Sequence, residues 1–283
     1  MSVAGGLPLA IDRAIAHRCD AFQIFAKNAN RWVGRLLGEE EIRAFRTALE
    51  ASGLGPVVSH ASYLINLASS SPALRHQSID AMGDEIDRAE ALGLLGVVLH
   101  PGCYTSGRET EGLQLIADGL LELFEARSSG RTMVILEQTA GQGTALGTTF
   151  EQLESVLARA SAHPRLGICL DTCHLLAAGY DIRSEDGYHT TFESFVRVLG
   201  LERLKLFHMN DSKTPLGSRV DRHEHIGKGH LGLEPFRRLV NDSRFAHLPM
   251  LLETPKSPRP IRGLVEVDRH DRRNLKTLRS LIA

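Results

Sequence analysis

Residues 204–232 read LKLFHMNDSKTPLGSRVDRHEHIGKGHLG. The segment opens on a short apolar run, 204–207, of the kind that forms a buried strand, and then supplies His208, Asp211, Asp221, His223 and His225. Imidazole nitrogens and carboxylate oxygens gathered where a strand ends and its loop begins suit zinc and its neighbours among the divalent cations. A polar surface loop with several histidines would have the same composition. What separates the two readings is that other apolar runs in the chain end in the same chemistry.

Outward from this segment, helix-period and strand-type stretches alternate along the chain. Spacing predicts helices over 7–18, 39–52, 72–93, 112–127, 150–160, 192–199, 235–241 and 269–281. Strands are predicted over 21–26, 56–59, 96–99, 133–136, 166–170, 204–207 and 249–252. Each is a short continuous apolar run, as in a parallel sheet covered by helices. No linker-like or low-complexity stretch interrupts the alternation, and at 283 residues the chain is long enough for one large barrel. The expectation is α/β, a single-domain TIM (β/α)8 barrel over 1–283. A closed barrel needs eight strands and seven are predicted; the first is missing, because the opening helix has no strand ahead of it. Strands 21–26 and 249–252 are then expected to be unpaired edges, which lower stability and invite aggregation. A start codon assigned too late would explain the gap.

Composition narrows the function classes. With 42% hydrophobic and 24% charged residues the chain is of ordinary globular make-up, which excludes disordered and fibrous proteins. A formal net charge of −1 means that any surface for a polyanion must be a local patch. The four cysteines, Cys19, Cys103, Cys169 and Cys173, form no CxxC pair and read as packing residues rather than a disulfide framework. No signal-like leader and no apolar run of about 18 residues is present, so a cytoplasmic protein without membrane partners is expected.

In a barrel of this kind the C-terminal strand ends converge on one mouth. Successive ends present His60, His100, Glu137, Asp171, His208 and Glu253, and the adjacent loops add His174, Asp221 and His223. One His ending one strand is ordinary packing, and one Asp there is an ordinary helix cap. A ring of them is different, because a buried carboxylate without a counter-charge costs several kcal/mol, on the order of the penalty for any unpaired buried ion. The number of candidates exceeds what one four- or five-coordinate ion takes and fits a cluster of two or three. Clustered divalent ions clamp a phosphate, acidify water and stabilise a leaving oxygen, so phosphodiester hydrolysis is the natural use. An alternative is a single-metal sugar isomerase or epimerase on the same barrel, for which Glu137, Asp171, His208 and Glu253 would suffice. A barrel that only binds damaged DNA is a weaker reading, since it gives the buried ligands nothing to do.

Several blocks resemble the endonuclease IV family of apurinic/apyrimidinic endonucleases: HASYLIN at 60–66, EQTAGQG at 137–143, LDTCH at 170–174 with AAGYD at 177–181, and HMNDSK at 208–213 with GSRVDRH at 217–223. The resemblance runs over essentially the whole chain. It implies a (β/α)8 barrel with three zinc ions, manganese being admissible at one position. Such an enzyme is monomeric and cuts double-stranded DNA on the 5′ side of an abasic site to leave a 3′-hydroxyl; trimming of 3′ ends is also implied. Carried over position by position, His60, His100 and Glu137 hold one ion. Glu137 bridges to a second completed by Asp171, His208 and Glu253, while His174, Asp221 and His223 hold the third. Glu137 is the implied catalytic residue, orienting the attacking water.

The same resemblance places Tyr63 and Leu64 where the family pushes side chains into the base stack. Asn30 falls where the family inserts an Arg, with Arg31 beside it, and Lys213 and Arg219 are candidates for phosphate contacts. Two departures stand out: Asn30 itself, and Gln138 where Asn is expected.

Overall fold

The computed structural model describes residues 1–257, 265 and 267–283. Seven strands form one parallel sheet: β1 (Phe22–Ile24), β2 (Val57–His60), β3 (Gly96–Leu99), β4 (Met133–Glu137), β5 (Leu166–Asp171), β6 (Leu204–His208) and β9 (Met250–Leu251). Their spatial order follows the chain, and every neighbouring pair is parallel. Between β6 and β9 a short antiparallel hairpin, β7 (Asp211–Ser212) and β8 (His223–Glu224), stands apart from the barrel sheet. Among the described residues β1 and β9 pair on one side only, as expected of a barrel with seven strands.

Helices α1 (Leu9–His17), α2 (Glu39–Ser52), α3 (Pro72–Leu92), α4 (Glu109–Glu125), α5 (Phe150–Arg159), α6 (Thr172–Ala178), α7 (Glu185–Leu199), α8 (Glu234–Asn241) and α9 (Arg269–Arg279) complete the alternation. None of them is long and apolar enough to cross a membrane. Their apolar stripes fill the layer between sheet and helices. In α5, for example, Phe150, Leu153, Val156 and Leu157 are buried at helical spacing, and the Thr149 hydroxyl caps the start by accepting from the Gln152 amide at 3.2 Å.

The barrel interior follows a period of two. Val58, Val98, Ile135, Cys169, Leu206 and Leu251 point inward and pack on one another as an apolar floor. Two residues further along each strand the next inward position is His60, His100, Glu137, Asp171, His208 or Glu253. Strand period alone therefore lifts a polar ring above a dry floor. On β1 the same register gives Ala21 against the floor and Gln23 in the ring.

Some elements differ from the sequence reading. Helix α7 starts at Glu185 rather than 192, its N-cap Ser184 accepting from the Gly187 amide at 3.1 Å. The polar first turns, EDGYHTT, carry too few apolar residues to register as helical. Helix α4 likewise starts earlier, at Glu109. Helix α6 has no counterpart in the sequence reading: seven residues, TCHLLAA, are too short and too uniformly buried to show a period. Strands β1 and β9 are shorter than the runs that predict them.

Candidate metal centre

Glu137, fully buried at the end of β4, lies at the middle of the ring. Its Oε2 stands 3.3 Å from His60 Nε2 and 3.2 Å from His100 Nε2. Its Oε1 stands 3.0 Å from His208 Nδ1 and 3.3 Å from His174 Nδ1. His208 Nδ1 is also 3.2 Å from Glu253 Oε2 and 3.9 Å from Asp171 Oδ2. On the far side Asp221 faces His174 Nε2 at 3.2 Å and His223 Nε2 at 3.1 Å. All nine expected ligands thus share one continuous cluster.

Local structure aims these groups. Asp171 ends β5 and caps α6, its Oδ1 accepting from the Cys173 and His174 amides at 2.6 and 3.2 Å. Its Oδ2 is left to face His223 Nε2 at 3.5 Å and accepts from Asn210 Nδ2 at 2.7 Å. The α6 turn puts His174 one turn along, over the ring. Asp221 and His223 come from the hairpin, held to the chain beyond it by Asp211, which is buried and accepts from the Ser212, Gly229 and Leu231 amides at 2.7, 2.9 and 2.9 Å. Gly229 passes so near the Ser212 carbonyl that a side chain there would collide with it.

Three rings are anchored at Nδ1 by backbone carbonyls: His60 by Ala61, His174 by Gln138 and His223 by Glu253. Each therefore turns Nε2 inward. The Nε2 atoms of His174 and His223 are buried and make no hydrogen bond. Unpartnered ring nitrogens facing carboxylates are what a divalent ion would satisfy, so the donor set fits zinc. Ligand atoms close enough to share an ion fall into the sets His60–His100–Glu137, Glu137–Asp171–His208–Glu253 and Asp171–His174–His223. The second double position, Asp171, is absent from the sequence reading. So are the buried thiols Cys169, near Glu137 and His208, and Cys173, near Asp221 and His223.

Without metal the cluster balances charge by holding protons. Burial disfavours the charged ring in His174, His208 and His223, but the facing acids, joined at His208 by the Cys169 thiol, outweigh it. All three rings are raised above the ordinary imidazole value, His223 to about 9. Burial would raise the Glu137 carboxyl, yet His208 and His100 hold it well below the usual carboxylate range. His225 and Asp211, close in sequence to these ligands, do not join them. His225 packs edge-on against His270 with ring centroids 4.6 Å apart, and Asp211 spends its oxygens on the loop.

The rim carries the remaining candidates. Tyr63 is 60% exposed, its ring 5.4 Å from that of His60 and 5.7 Å from that of Phe25, so it is a rim residue rather than a core one. Leu64 is half-buried; Asn30, Arg31, Lys213 and Arg219 are exposed. The loops bearing Asn30 and Tyr63 are tied together, Ser62 Oγ and the Tyr63 amide both donating to the Ala29 carbonyl. Val33 and Leu36, 80% and 91% exposed in the same first loop, are apolar rim residues that the sequence reading passes over. Lys213 and Arg219 sit on the segment joining β7 to β8, where the Arg219 amide donates to the Ala177 carbonyl of α6 at 2.9 Å.

Both rim loops rest on one buried ion pair. Lys27 Nζ donates to the Trp32 and Ala81 carbonyls and to Asp84 Oδ2 at 3.0 to 3.1 Å, and lies 3.6 Å from Glu85 Oε1, which accepts from the Ser62 amide. Lys27→Met is expected to cost about 3–5 kcal/mol of stability, because it leaves the Glu85 carboxylate buried without its cation. Denaturant midpoints check this: Lys27→Met with Glu85→Gln should recover much of the loss, and an equal loss in the double variant would contradict the assignment.

Comparison with known proteins agrees with this geometry. Residues 11–279 match the family described as xylose isomerase-like TIM barrel. A probable endonuclease 4 from Chloroflexus aurantiacus is 49% identical over 282 residues, covering 100% of this chain and 96% of that protein. Its counterpart from Geobacter sulfurreducens is 44% identical, covering 100% and 93%. The crystal structure of endonuclease IV from Thermus thermophilus superposes with a TM-score of 0.86 at 37% identity, covering 99% of this chain and 96% of that one. A D-tagatose 3-epimerase-like protein superposes with a TM-score of 0.74 at 20% identity, covering 99% and 95%, a likeness of fold alone.

Proposed function

This chain belongs to the endonuclease IV family, and from that premise we propose that it hydrolyses the phosphodiester on the 5′ side of abasic sites in double-stranded DNA. The products are a 3′-hydroxyl and a 5′-deoxyribose phosphate, and the same site trims blocked 3′ ends. The whole chain acts as a single catalytic domain, a cytoplasmic monomer. Three zinc ions, with manganese admissible at one position, supply phosphate polarisation, acidified water and leaving-oxygen stabilisation when bound. His60, His100 and Glu137 would hold the first; Glu137, Asp171, His208 and Glu253 the second; His174, Asp221 and His223 the third.

The chain's own contribution is placement. Glu137 presents one oxygen to each side of the cluster, which suits a carboxylate that spaces two ions and receives a proton from the attacking water at its edge. The apolar floor of Val58, Val98, Ile135, Cys169, Leu206 and Leu251 closes the barrel below and keeps bulk water out from that side. Tyr63 and Leu64 stand where they would enter the base stack, Asn30 and Arg31 beside them through the shared Ala29 anchor. Lys213 and Arg219 would steer the phosphate backbone.

The observation that carries the reading is the size of the ligand set. A one-ion sugar isomerase would need Glu137, Asp171, His208 and Glu253 only, and leaves His60, His100, His174, Asp221 and His223 with no task in the same ring. The test is a duplex with a single tetrahydrofuran abasic analogue. One cut directly 5′ to the lesion, with an end that a polymerase extends, is expected. An intact duplex alongside metal-dependent epimerisation of a ketose would favour the isomerase instead.

A further inference from the structure

Among the four imidazoles with a defined anchor, His208 is inverted. His60, His174 and His223 are fixed at Nδ1 by backbone carbonyls and aim Nε2 into the cluster. His208 aims Nδ1 inward, and its Nε2 lies 3.0 Å from a side chain, Gln23 Oε1. A backbone anchor survives any substitution at its own position. This one does not.

We propose that Gln23 is a positioning residue for one ion of the cluster, the one that His208 and Glu253 would hold. The proposal rests on the reading of these two residues as ligands. The geometry leaves the Gln23 amide a single orientation. Its oxygen accepts from the His208 Nε2–H, so its nitrogen is the donor that meets Glu253 Oε1 at 2.6 Å. One amide thus does two things. It fixes the His208 tautomer with the Nδ1 lone pair toward Glu137 and Glu253, and it holds one Glu253 oxygen so that the other, Oε2, faces His208 Nδ1 at 3.2 Å.

Gln23 occupies the ring position of β1, two residues beyond the floor residue Ala21, as His208 stands beyond Leu206. Strands β1 and β9 are the two ends of the sheet and share no ladder among the described residues. The Gln23–Glu253 hydrogen bond spans that seam, joining β1 to the residues just after β9. Where strand pairing does not hold a ligand in register, a side chain does. The other end of Glu253 is held through its backbone, whose amide donates to Asn210 Oδ1 at 2.9 Å, so the Gln23 contact governs the carboxylate and not the path of the chain.

Zinc release to a graded chelator, read by a chromogenic indicator, tests this on the purified full chain. In Gln23→Met, which keeps the length and loses both hydrogen bonds, one equivalent is expected to leave at about 10–100-fold lower chelator than in wild type, on the order found for lost outer partners of metal ligands. The ions assigned to His60–His100 and to His174–Asp221–His223 do not touch Gln23 and should leave where they did before. Gln23→Glu keeps an acceptor for His208 but sets a carboxylate against Glu253, and the same single equivalent should be weakened. Metal-free melting at the wild-type temperature shows that the variants fold.

Unchanged release in Gln23→Met overturns the proposal, and so does equal weakening of all equivalents, which marks a structural role. Should wild type hold one ion only, the trinuclear reading falls. The comparison still decides Gln23, since the remaining ion would sit on His208 and Glu253: weaker retention in Gln23→Met supports it and equal retention overturns it.

Discussion

Glu137→Gln is expected to lower abasic-site incision by on the order of 10³-fold or more, the scale seen when a central electrostatic group is removed, while duplex binding stays largely intact. The reason is position. Both Glu137 oxygens face imidazole nitrogens, Oε2 those of His60 and His100, Oε1 those of His174 and His208. An amide of the same shape offers one oxygen and one NH2, so one side of the cluster loses its negative ligand and meets donors instead. The DNA-facing candidates Tyr63, Arg31 and Arg219 lie outside this cluster and are untouched, which is why binding should persist. Single-turnover incision and a gel-shift titration with the tetrahydrofuran duplex measure the two separately. Loss of both together would assign Glu137 a structural role.

Removing metal should have the second large effect, on stability as well as on cutting. A ligand present at roughly 1,000 times its dissociation constant stabilises by about 4 kcal/mol per site, so chelation should lower the melting temperature by roughly ten degrees or more for a chain of this size. The size of that drop depends on pH. Free imidazole in the unfolded chain titrates near 6.5, roughly the reference value, and His223 in the metal-free fold is raised to about 9, burial opposing and Asp171 and Asp221 outweighing it. The charge pairing this represents is therefore fully present below about 6.5 and is lost as pH rises through about 9. Zinc competes with the same protons and binds better as pH rises. Both trends act in one direction: the gap between zinc-loaded and chelated melts should widen from about pH 6 to about pH 9. A gap that narrows over that range would contradict the assignment of these imidazoles as ligands.

Much of the site is legible in the sequence because strand period does the placing. Once 56–59, 96–99 and 133–136 are read as strands, the residue that ends each one follows at the mouth, and His60, His100 and Glu137 need no further argument. The barrel seam is legible for the same reason, since a helix with no strand before it leaves β1 and β9 as the ends of the sheet. What escapes is whatever period cannot mark. Helix α6 is a single buried turn or two, and the β7–β8 hairpin is two residues a side. Gln23 hides inside an apolar run, where one polar residue looks like noise until the register shows that it points into the ring. Asp211 and His225 mislead in the other direction: both are ligand types within the decisive segment, and only the hydrogen bonds to Ser212, Gly229 and Leu231, and the packing on His270, remove them.

Asn30, where the resemblance implies an inserted Arg, keeps its place on the exposed first loop with Arg31 next to it. The Lys27–Glu85 pair beneath holds that loop and the Tyr63 loop to α3, so the departure alters what the rim presents and leaves its support alone.

The central claim is that nine side chains at the mouth of the barrel hold a group of three ions. Elemental analysis of the chain purified without added chelator, normalised to protein by amino-acid analysis, addresses it directly. The account predicts about three equivalents of zinc, or of zinc and manganese together; a single equivalent that saturates the protein would contradict it.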